Sequence, residues 1–328
     1  MHIVRFATFA AIGLTAVTVS ANPPLPSPKP LPVAKRVTKL PEPRATTLFR
    51  AEQFGAALEP AAFGFYTRGC LAGGVKLEED GPAWQAMRLS RNRHWAHPST
   101  IRLVKKLAAS AKRYDGWNGL LVGDLSMPRG GPMWPSHSSH QTGLDADIWL
   151  TEMPDRRLSR KERENMSAVF MLTKDHLAVN RAVWTDNHAR LIKRAASFRE
   201  VQRILVHPAI KKELCRVAGS DRGWLAKVRP VWGHNYHFHI RLRCTPGLGA
   251  CRPQKEPQND DGCGAELDKW YTRLHARLKP KPKQPAGQRA KPRERRWLEM
   301  ADLPAQCKTV LSAAGKVAVP SPQRAVRP

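Results

Sequence analysis

The sequence predicts an α+β fold, one folded domain carrying Pro-rich basic tails. Three observations predict it. Segments of helical period and segments of strand-like alternation interleave along the chain. A hydrophobic fraction of 41%, with ten Trp residues, is enough to build a core. The 28 Pro residues are unevenly spread, and two Pro/Lys-rich stretches, 22–45 and 278–298, cannot bury a core of their own. The 328 residues therefore divide into a signal peptide at 1–21, a linker at 22–45, a folded domain at 46–275 and a basic segment at 276–328 tethered through Cys307.

The N-terminus sets the compartment. Met1, His2 and Arg5 make a short basic start, Phe6 to Val19 is apolar, and Val19-Ser20-Ala21 reads as a small-residue cleavage site. This is the layout of a secretory signal peptide. The apolar run is too short to span a bilayer comfortably, and no other segment is long and apolar enough. The expectation is an exported chain of the periplasm with no transmembrane segment after cleavage.

Within the domain, Ile101, Val104, Leu107, Ala108 and Ala111 recur at helical spacing, and Gly119 to Met127 reads as a strand. Ser159-x-x-Glu162 is a capping box ahead of Met166, Val169 and Phe170. A helix begins near Thr185 and continues through Ala189, Ile192, Lys193 and Ala196. Val201 to Val206 reads as a buried strand. Pro208 and Ser220 are helix starts, with Pro230 ending the second helix. The stretch 299–328 is weakly patterned.

Six cysteines, Cys70, Cys215, Cys244, Cys251, Cys263 and Cys307, suit three disulfides in an exported chain. No C-x-x-C occurs, which argues against a Cys-ligated zinc site.

Two stretches carry chemistry. In Ser136-His137-Ser138-Ser139-His140-Gln141-Thr142-Gly143-Leu144-Asp145-Ala146-Asp147-Ile148-Trp149-Leu150, a polar His/Ser loop leads into strand alternation. Asp145 and Asp147 fall on one face, with Ala146, Ile148 and Leu150 on the other. Two carboxylates facing the same way are costly to bury unless something positive sits there. In Trp232-Gly233-His234-Asn235-Tyr236-His237-Phe238-His239-Ile240-Arg241-Leu242, the i, i+2 spacing puts His237 and His239 on one strand face. Tyr236, Phe238 and Ile240 face the other side. His140, Asp147 and one strand histidine can give Zn²⁺ three N/O ligands and leave a fourth position for water, the pattern of a catalytic site. The other histidine of the pair can then act as general base.

H-x6-D followed by H-x-H resembles the LAS group of zinc peptidases, and Ser-His-x-Ser-His-Gln-Thr-Gly-Leu-Asp-x-Asp resembles the penicillin-insensitive murein endopeptidase family within it. The likeness extends over Gly69-Cys70, Gly123-Asp124-Leu125-Ser126-Met127-Pro128, His207-Pro208-Ala209-Ile210-Lys211, Ala218-Gly219-Ser220-Asp221-Arg222, Arg229-Pro230, Arg241-Leu242-Arg243-Cys244 and Asp261-Gly262-Cys263-Gly264-Ala265-Glu266-Leu267. It covers most of 65–270 and reaches Cys307. The resemblance implies a catalytic domain of the LAS/hedgehog-like kind around an antiparallel sheet. It implies His140, Asp147 and His239 as zinc ligands, His237 as base, and His234 as the group stabilising developing charge. His137 matches a position the family associates with a second metal. The matching Asp-x-x-His is absent; Asp175-His176 stands there instead and suits an ordinary helix-end role. The resemblance further implies the pairs Cys70–Cys307, Cys215–Cys263 and Cys244–Cys251, out of the fifteen that six cysteines permit. The implied reaction is hydrolysis of the D-alanyl–meso-diaminopimelyl cross-bridge of peptidoglycan by a zinc-activated water. No Ser-x-x-Lys and no Gly-x-Ser-x-Gly occurs to offer a serine nucleophile.

Competing functions share parts of this pattern. A D,D- or L,D-carboxypeptidase of the same group would use the same zinc chemistry, and a non-catalytic wall-binding protein could keep the fold. The formal net charge of +28 favours an anionic partner, here wall polymer or membrane surface. Export and the Pro-rich setting of much of the basic charge argue against nucleic acid.

Overall fold

A computed structural model of the chain describes residues 44–133, 137–279 and 297–316. The signal peptide, nearly all of the 22–45 linker, Ser136 and most of the basic stretch 278–298 lie outside the described residues. Among those described, no helix is long and apolar enough to cross a membrane.

The centre is a seven-stranded sheet. In chain order its strands are β1 (Asp80–Gly81), β2 (Trp84–Ala86), β3 (Leu120–Val122), β4 (Asp145–Trp149), β5 (Val201–Val206), β6 (Val228–Pro230) and β7 (His237–Leu242). Across the sheet they run β6-β5-β7-β4-β3-β2-β1. The implied antiparallel sheet is corrected to a mixed one. Both β5–β6 and β2–β3 are parallel; the other four pairings are antiparallel. The α+β class stands, with seven helices among the described residues: α1 (Ala45–Ala51), α2 (Pro98–Tyr114), α3 (Arg160–Asn165), α4 (Asp186–Ser197), α5 (Pro208–Val217), α6 (Ala265–Leu278) and α7 (Gln306–Ser312).

Local chemistry explains most of these elements. Helix α2 buries Ile101, Val104, Leu107, Ala108 and Ala111, the spaced apolar positions of the sequence. It shares a core with Leu191 and Ile192 of α4 and with Ala146, Ile148, Phe238 and Ile240 from the sheet. Both α2 and α5 start with His-Pro. His97 and His207 are N-caps whose Nδ1 accepts from the N–H of Ser99 and Ala209, and the proline follows at the first helical position. Helix α3 has the predicted capping box, Ser159 Oγ with Glu162 N and Glu162 with Ser159 N.

Three expectations need correcting. Helix α3 stops at Asn165, so Met166, Val169 and Phe170 are not helical. The carbonyls of Glu164 and Met166 are taken by the Arg88 guanidinium, and Val169 N donates to Thr151 Oγ1. The Ser220 helix is a 3₁₀ turn, Gly223–Lys227, and Pro230 ends the edge strand β6, where a missing N–H is tolerated. Asp175 lies in a turn closed by the Leu172–Val179 bridge, not at a helix end; its Oδ1 accepts from Thr173 Oγ1 and Leu177 N.

The C-terminal stretch is more ordered than its pattern suggests. Leu303, Cys307 and Val310 join Ala45, Phe49, Cys70 and Met127 in a second apolar cluster, and Gly315–Lys316 pairs with Gly55–Ala56. Cys70 bonds Cys307, Cys215 bonds Cys263 and Cys244 bonds Cys251.

Candidate metal centre

The register of β4 against β7 assembles the site. Antiparallel pairing sets His239 opposite Asp147, Arg241 opposite Asp145 and His237 opposite Trp149. Directly opposed residues share a face, so one face carries the two carboxylates, both histidines and Arg241. The other face sends Ala146, Ile148, Phe238 and Ile240 into the core. Tyr236, just before β7, stays exposed instead.

The loop before β4 brings in His140, which adopts φ +69°, the left-handed region. Its main chain is fixed at both ends. The N–H donates to Asp145 Oδ2 at 2.9 Å, and the carbonyl accepts from Ser126 Oγ at 2.6 Å. Gly143 then turns the chain into β4 at φ +72°, where a Cβ would stand 2.8 Å from His97 N.

His137, His140 and Asp147 form a mutual group, each with one ligand atom within 4.8 Å of the others. His140 Nε2 is 3.4 Å from Asp147 Oδ1, and His137 Nδ1 is 3.6 Å from Oδ2. His239 stands outside that group but touches its carboxylate, with Nδ1 2.9 Å from Asp147 Oδ1. His137 and His239 are held alike. Each turns one ring nitrogen to Asp147 and the other to a separate aspartate, His137 Nε2 to Asp124 Oδ2 and His239 Nε2 to Asp145 Oδ1, both at 2.9 Å. An outer carboxylate of this kind orients a metal-binding imidazole. His237 Nε2 lies 3.7 Å from Asp147 Oδ2. His234 donates its Nδ1–H to the Trp232 carbonyl at 2.8 Å, so Nε2 of its neutral ring is an acceptor.

The electrostatics are those of a place prepared for positive charge. Burial alone would raise all three carboxyls. The Asp145 carboxyl is instead held far below the usual range by Arg241, with His239 adding to the effect. Asp124 is lowered by His137, then by Arg93 and Arg91. Asp147 is lowered by His140 and His237. Burial opposes charge on His239, but Asp145 and Asp147 outweigh it and raise its pKa. Burial pushes His237 down, and pushes His234 down to about 3 with help from His237 and His239.

Several polar atoms lack partners. Both ring nitrogens of His140, Nδ1 of His237 and Oδ1 of Asp124 are buried without a hydrogen bond. Such atoms are costly unless a ligand completes them, so the residues present fit a cation.

These findings agree with what the chain resembles. A profile of the penicillin-insensitive murein endopeptidases matches residues 62–312. The chain belongs to this family. Its relatives include penicillin-insensitive murein endopeptidases of Haemophilus influenzae, 45% identical over 212 residues covering 63% of this chain and 72% of the relative, and of Pectobacterium atrosepticum, 40% identical over 229 residues covering 70% and 78%. That of Klebsiella pneumoniae is 40% identical over 210 residues, 64% and 76% of the two chains.

The sequence reading missed residues that complete the site. Arg241 follows His239 by two, so strand alternation alone puts it on the same face, beside Asp145. Asp124 comes from the chain beyond β3, where main-chain bonds Gly123 N to Asp147 O and Asp147 N to Asp124 O lay it along β4. Arg88 and Arg91 arrive through a 3₁₀ turn, Leu89–Arg91, and no periodicity announces them. Both line the cavity that also holds Asp147, His137 and His237.

Proposed function

We propose that the protein is a zinc-dependent murein endopeptidase of the periplasm that hydrolyses the D-alanyl–meso-diaminopimelyl cross-bridge of peptidoglycan. The observation that carries the reading is the buried His140 ring beside Asp147, with neither ring nitrogen hydrogen-bonded, in a chain of the murein endopeptidase family. The basic start, apolar run and small-residue site at 1–21 support export.

His140, Asp147 and His239 are assigned as ligands, with His137 as the alternative third ligand or part of a second position. Two imidazoles and one carboxylate suit zinc, and all six cysteines are engaged in disulfides. When bound, Zn²⁺ lowers the pKa of a coordinated water toward neutrality and polarises a carbonyl. Asp145 keeps His239 turned toward Asp147, and Arg241 holds Asp145 at 2.7 Å. His237, kept neutral by burial, is the base that takes a proton from the attacking water. His234 presents a second acceptor nitrogen beside it and stabilises developing negative charge only after taking up a proton there. The basic C-terminal stretch is assigned a non-catalytic role, attraction to anionic wall or membrane surface.

The test is digestion of purified cross-linked muropeptides with and without a chelator. Conversion of dimers to monomers that stops on chelation and returns with zinc is expected. Release of free D-Ala from uncross-linked stems, with dimers untouched, would make the protein a carboxypeptidase. Full activity in verified metal-free protein would end the zinc mechanism.

A further inference from the structure

The cavity at the metal centre has a second wall that the hydrolytic chemistry does not use. It is about 210 Å³ in volume, and Asp147, His137 and His237 line it together with Arg88, Arg91 and Tyr236. We infer that Arg88 and Arg91 form a carboxylate-binding subsite that reads the free carboxylate on the carbon bearing the scissile amide nitrogen. This rests on the endopeptidase reading: in a D-alanyl–diaminopimelyl bridge that carbon carries such a carboxylate.

Arg88 is built in rather than loosely placed. Its backbone is in the left-handed region at φ 60°, an uncommon conformation for a side chain of this size. The Arg88 N–H donates to Arg163 O at 3.1 Å. The guanidinium donates to three carbonyls at the end of α3, those of Arg163, Glu164 and Met166, and lies 5.5 Å over the Trp149 ring. All these partners are neutral. Among the described residues no carboxylate pairs with Arg88; nearby Glu164 is occupied by Ser90, accepting from its N at 2.7 Å and its Oγ at 2.8 Å. The guanidinium is therefore oriented by carbonyls without a direct ion pair, although the Glu164 charge nearby acts on both Arg88 and Arg91. Three carbonyls leave some of the five guanidinium donors unused, and a planar fork with free donors matches a carboxylate.

Arg91 adds a second cation at the mouth. Its side chain is 45% exposed, and its one carboxylate contact, Asp124 Oδ2 at 3.2 Å, is shared with Arg93 at 3.0 Å and His137 at 2.9 Å. Arg91 thus shares that carboxylate oxygen with Arg93 and His137 rather than holding it alone. Because Arg88 and Arg91 line the same cavity as Asp147, His137 and His237, a carboxylate bound by them lies beside the bond being cut.

The experiment compares two cross-linked muropeptide dimers, one with that carboxylate free and one with it converted to the neutral amide, which keeps shape but not charge. Wild-type kcat/KM should favour the free acid by about 10- to 100-fold, the range of a hydrogen bond to a charged group. In Arg91→Gln and Arg88→Gln the preference should collapse toward unity. A merely structural role would lower both dimers equally and leave the ratio alone. Arg91 is exposed, so its variant remains informative if loss of Arg88 unfolds the loop. A wild-type ratio near one, or a ratio unchanged in both variants, overturns the subsite while leaving endopeptidase activity standing. No cleavage of either dimer by the zinc-loaded wild type removes the endopeptidase reading and this inference with it. A pentapeptide ending in D-Ala-D-Ala tests the other source of the same chemistry. Release of D-Ala that depends on both arginines, with dimers uncut, would move the subsite to a chain-terminal carboxylate.

Discussion

The two His-Pro helix starts should make the fold sensitive to mild acid, independently of the metal. His97 Nδ1 accepts from Ser99 N at 3.2 Å and His207 Nδ1 from Ala209 N at 3.1 Å, so each cap requires an unprotonated Nδ1. Burial pushes both rings down from 6.5 to about 4, with Arg102 adding to the effect at His97 and His176 at His207. Each also stands at the positive end of a helix, which opposes an imidazolium. The sign follows from linkage. Between pH 6.5 and 4 the unfolded chain binds the proton and the folded chain does not, so stability is fully present above 6.5 and is lost as pH falls toward 4. At 1.36 kcal/mol per pKa unit, each histidine withdraws about 3 kcal/mol across that window. The perturbation is His97→Asn with His207→Asn, since Asn caps a helix as well and does not titrate. Urea unfolding at pH 7, 5.5 and 4.5 should show wild type losing ground to the variant by several kcal/mol. The wild-type-minus-variant difference cancels the acid sensitivity of the proposed metal ligands, which both proteins share. A difference that stays constant from pH 7 to 4.5 would refute the reasoning.

Three other outcomes can be checked. Ala at His140 or Asp147 should abolish both zinc content, measured by atomic absorption, and activity, whereas His237→Ala should keep most zinc and lower kcat by roughly 10²–10⁴-fold. Zinc retained in His239→Ala but lost in His137→Ala would transfer the third ligand to His137. Arg241→Met strands the buried Asp145 charge, so thermal unfolding should report a loss of about 3–5 kcal/mol and zinc titration about 10–100-fold weaker affinity. Replacing 278–298 by a neutral linker of equal length should spare turnover of soluble muropeptides but reduce sedimentation with sacculi at low salt. The gap should close near 1 M, where the Debye length shrinks to about 3 Å; equal sedimentation throughout would leave the tail a plain spacer.

What the sequence revealed follows the physics of regular elements. Asp145/Asp147 and His237/His239 are readable because a strand repeats every two residues and because Ala146, Ile148, Phe238 and Ile240 supply the apolar alternate face. Elements fixed from a distance are not readable. Helix α3 ends where Arg88, some 75 residues away in the chain, takes its carbonyls. The stretch around Leu303 and Cys307 has a helix of seven residues that buries only Cys307 and Val310, too little for a periodic signal. Pro230 ends a strand where the sequence predicts a helix end, because proline ends helices and edge strands alike and only the parallel pairing of Val206 with Pro230 distinguishes them. The third member of the mutual metal-competent group is likewise a matter of loop geometry, since His137 lies on the loop before His140 while His239 lies on a paired strand.

The way the three buried aspartates of the site are partnered says where the cation belongs. Asp145 has Arg241 at 2.7 Å, and Asp124 has Arg93 at 3.0 Å and Arg91 at 3.2 Å. Asp147 is faced by His137, His140, His237 and His239 and by no guanidinium among the described residues. Histidines can neutralise a carboxylate only by taking protons, and burial resists that at His237. A fixed guanidinium keeps its charge at any working pH, so Asp145 and Asp124 are permanently compensated and act as struts for His239 and His137. Asp147 is the one of the three without a permanent countercharge; from within the chain only a protonated His239, whose pKa the two aspartates raise, would neutralise it. A divalent cation there would allow the surrounding imidazoles to remain neutral, which is the state in which they can both ligate and accept protons. The same two struts therefore separate the roles: they fix geometry through charge that never titrates, and leave the titrating groups free for chemistry at Asp147.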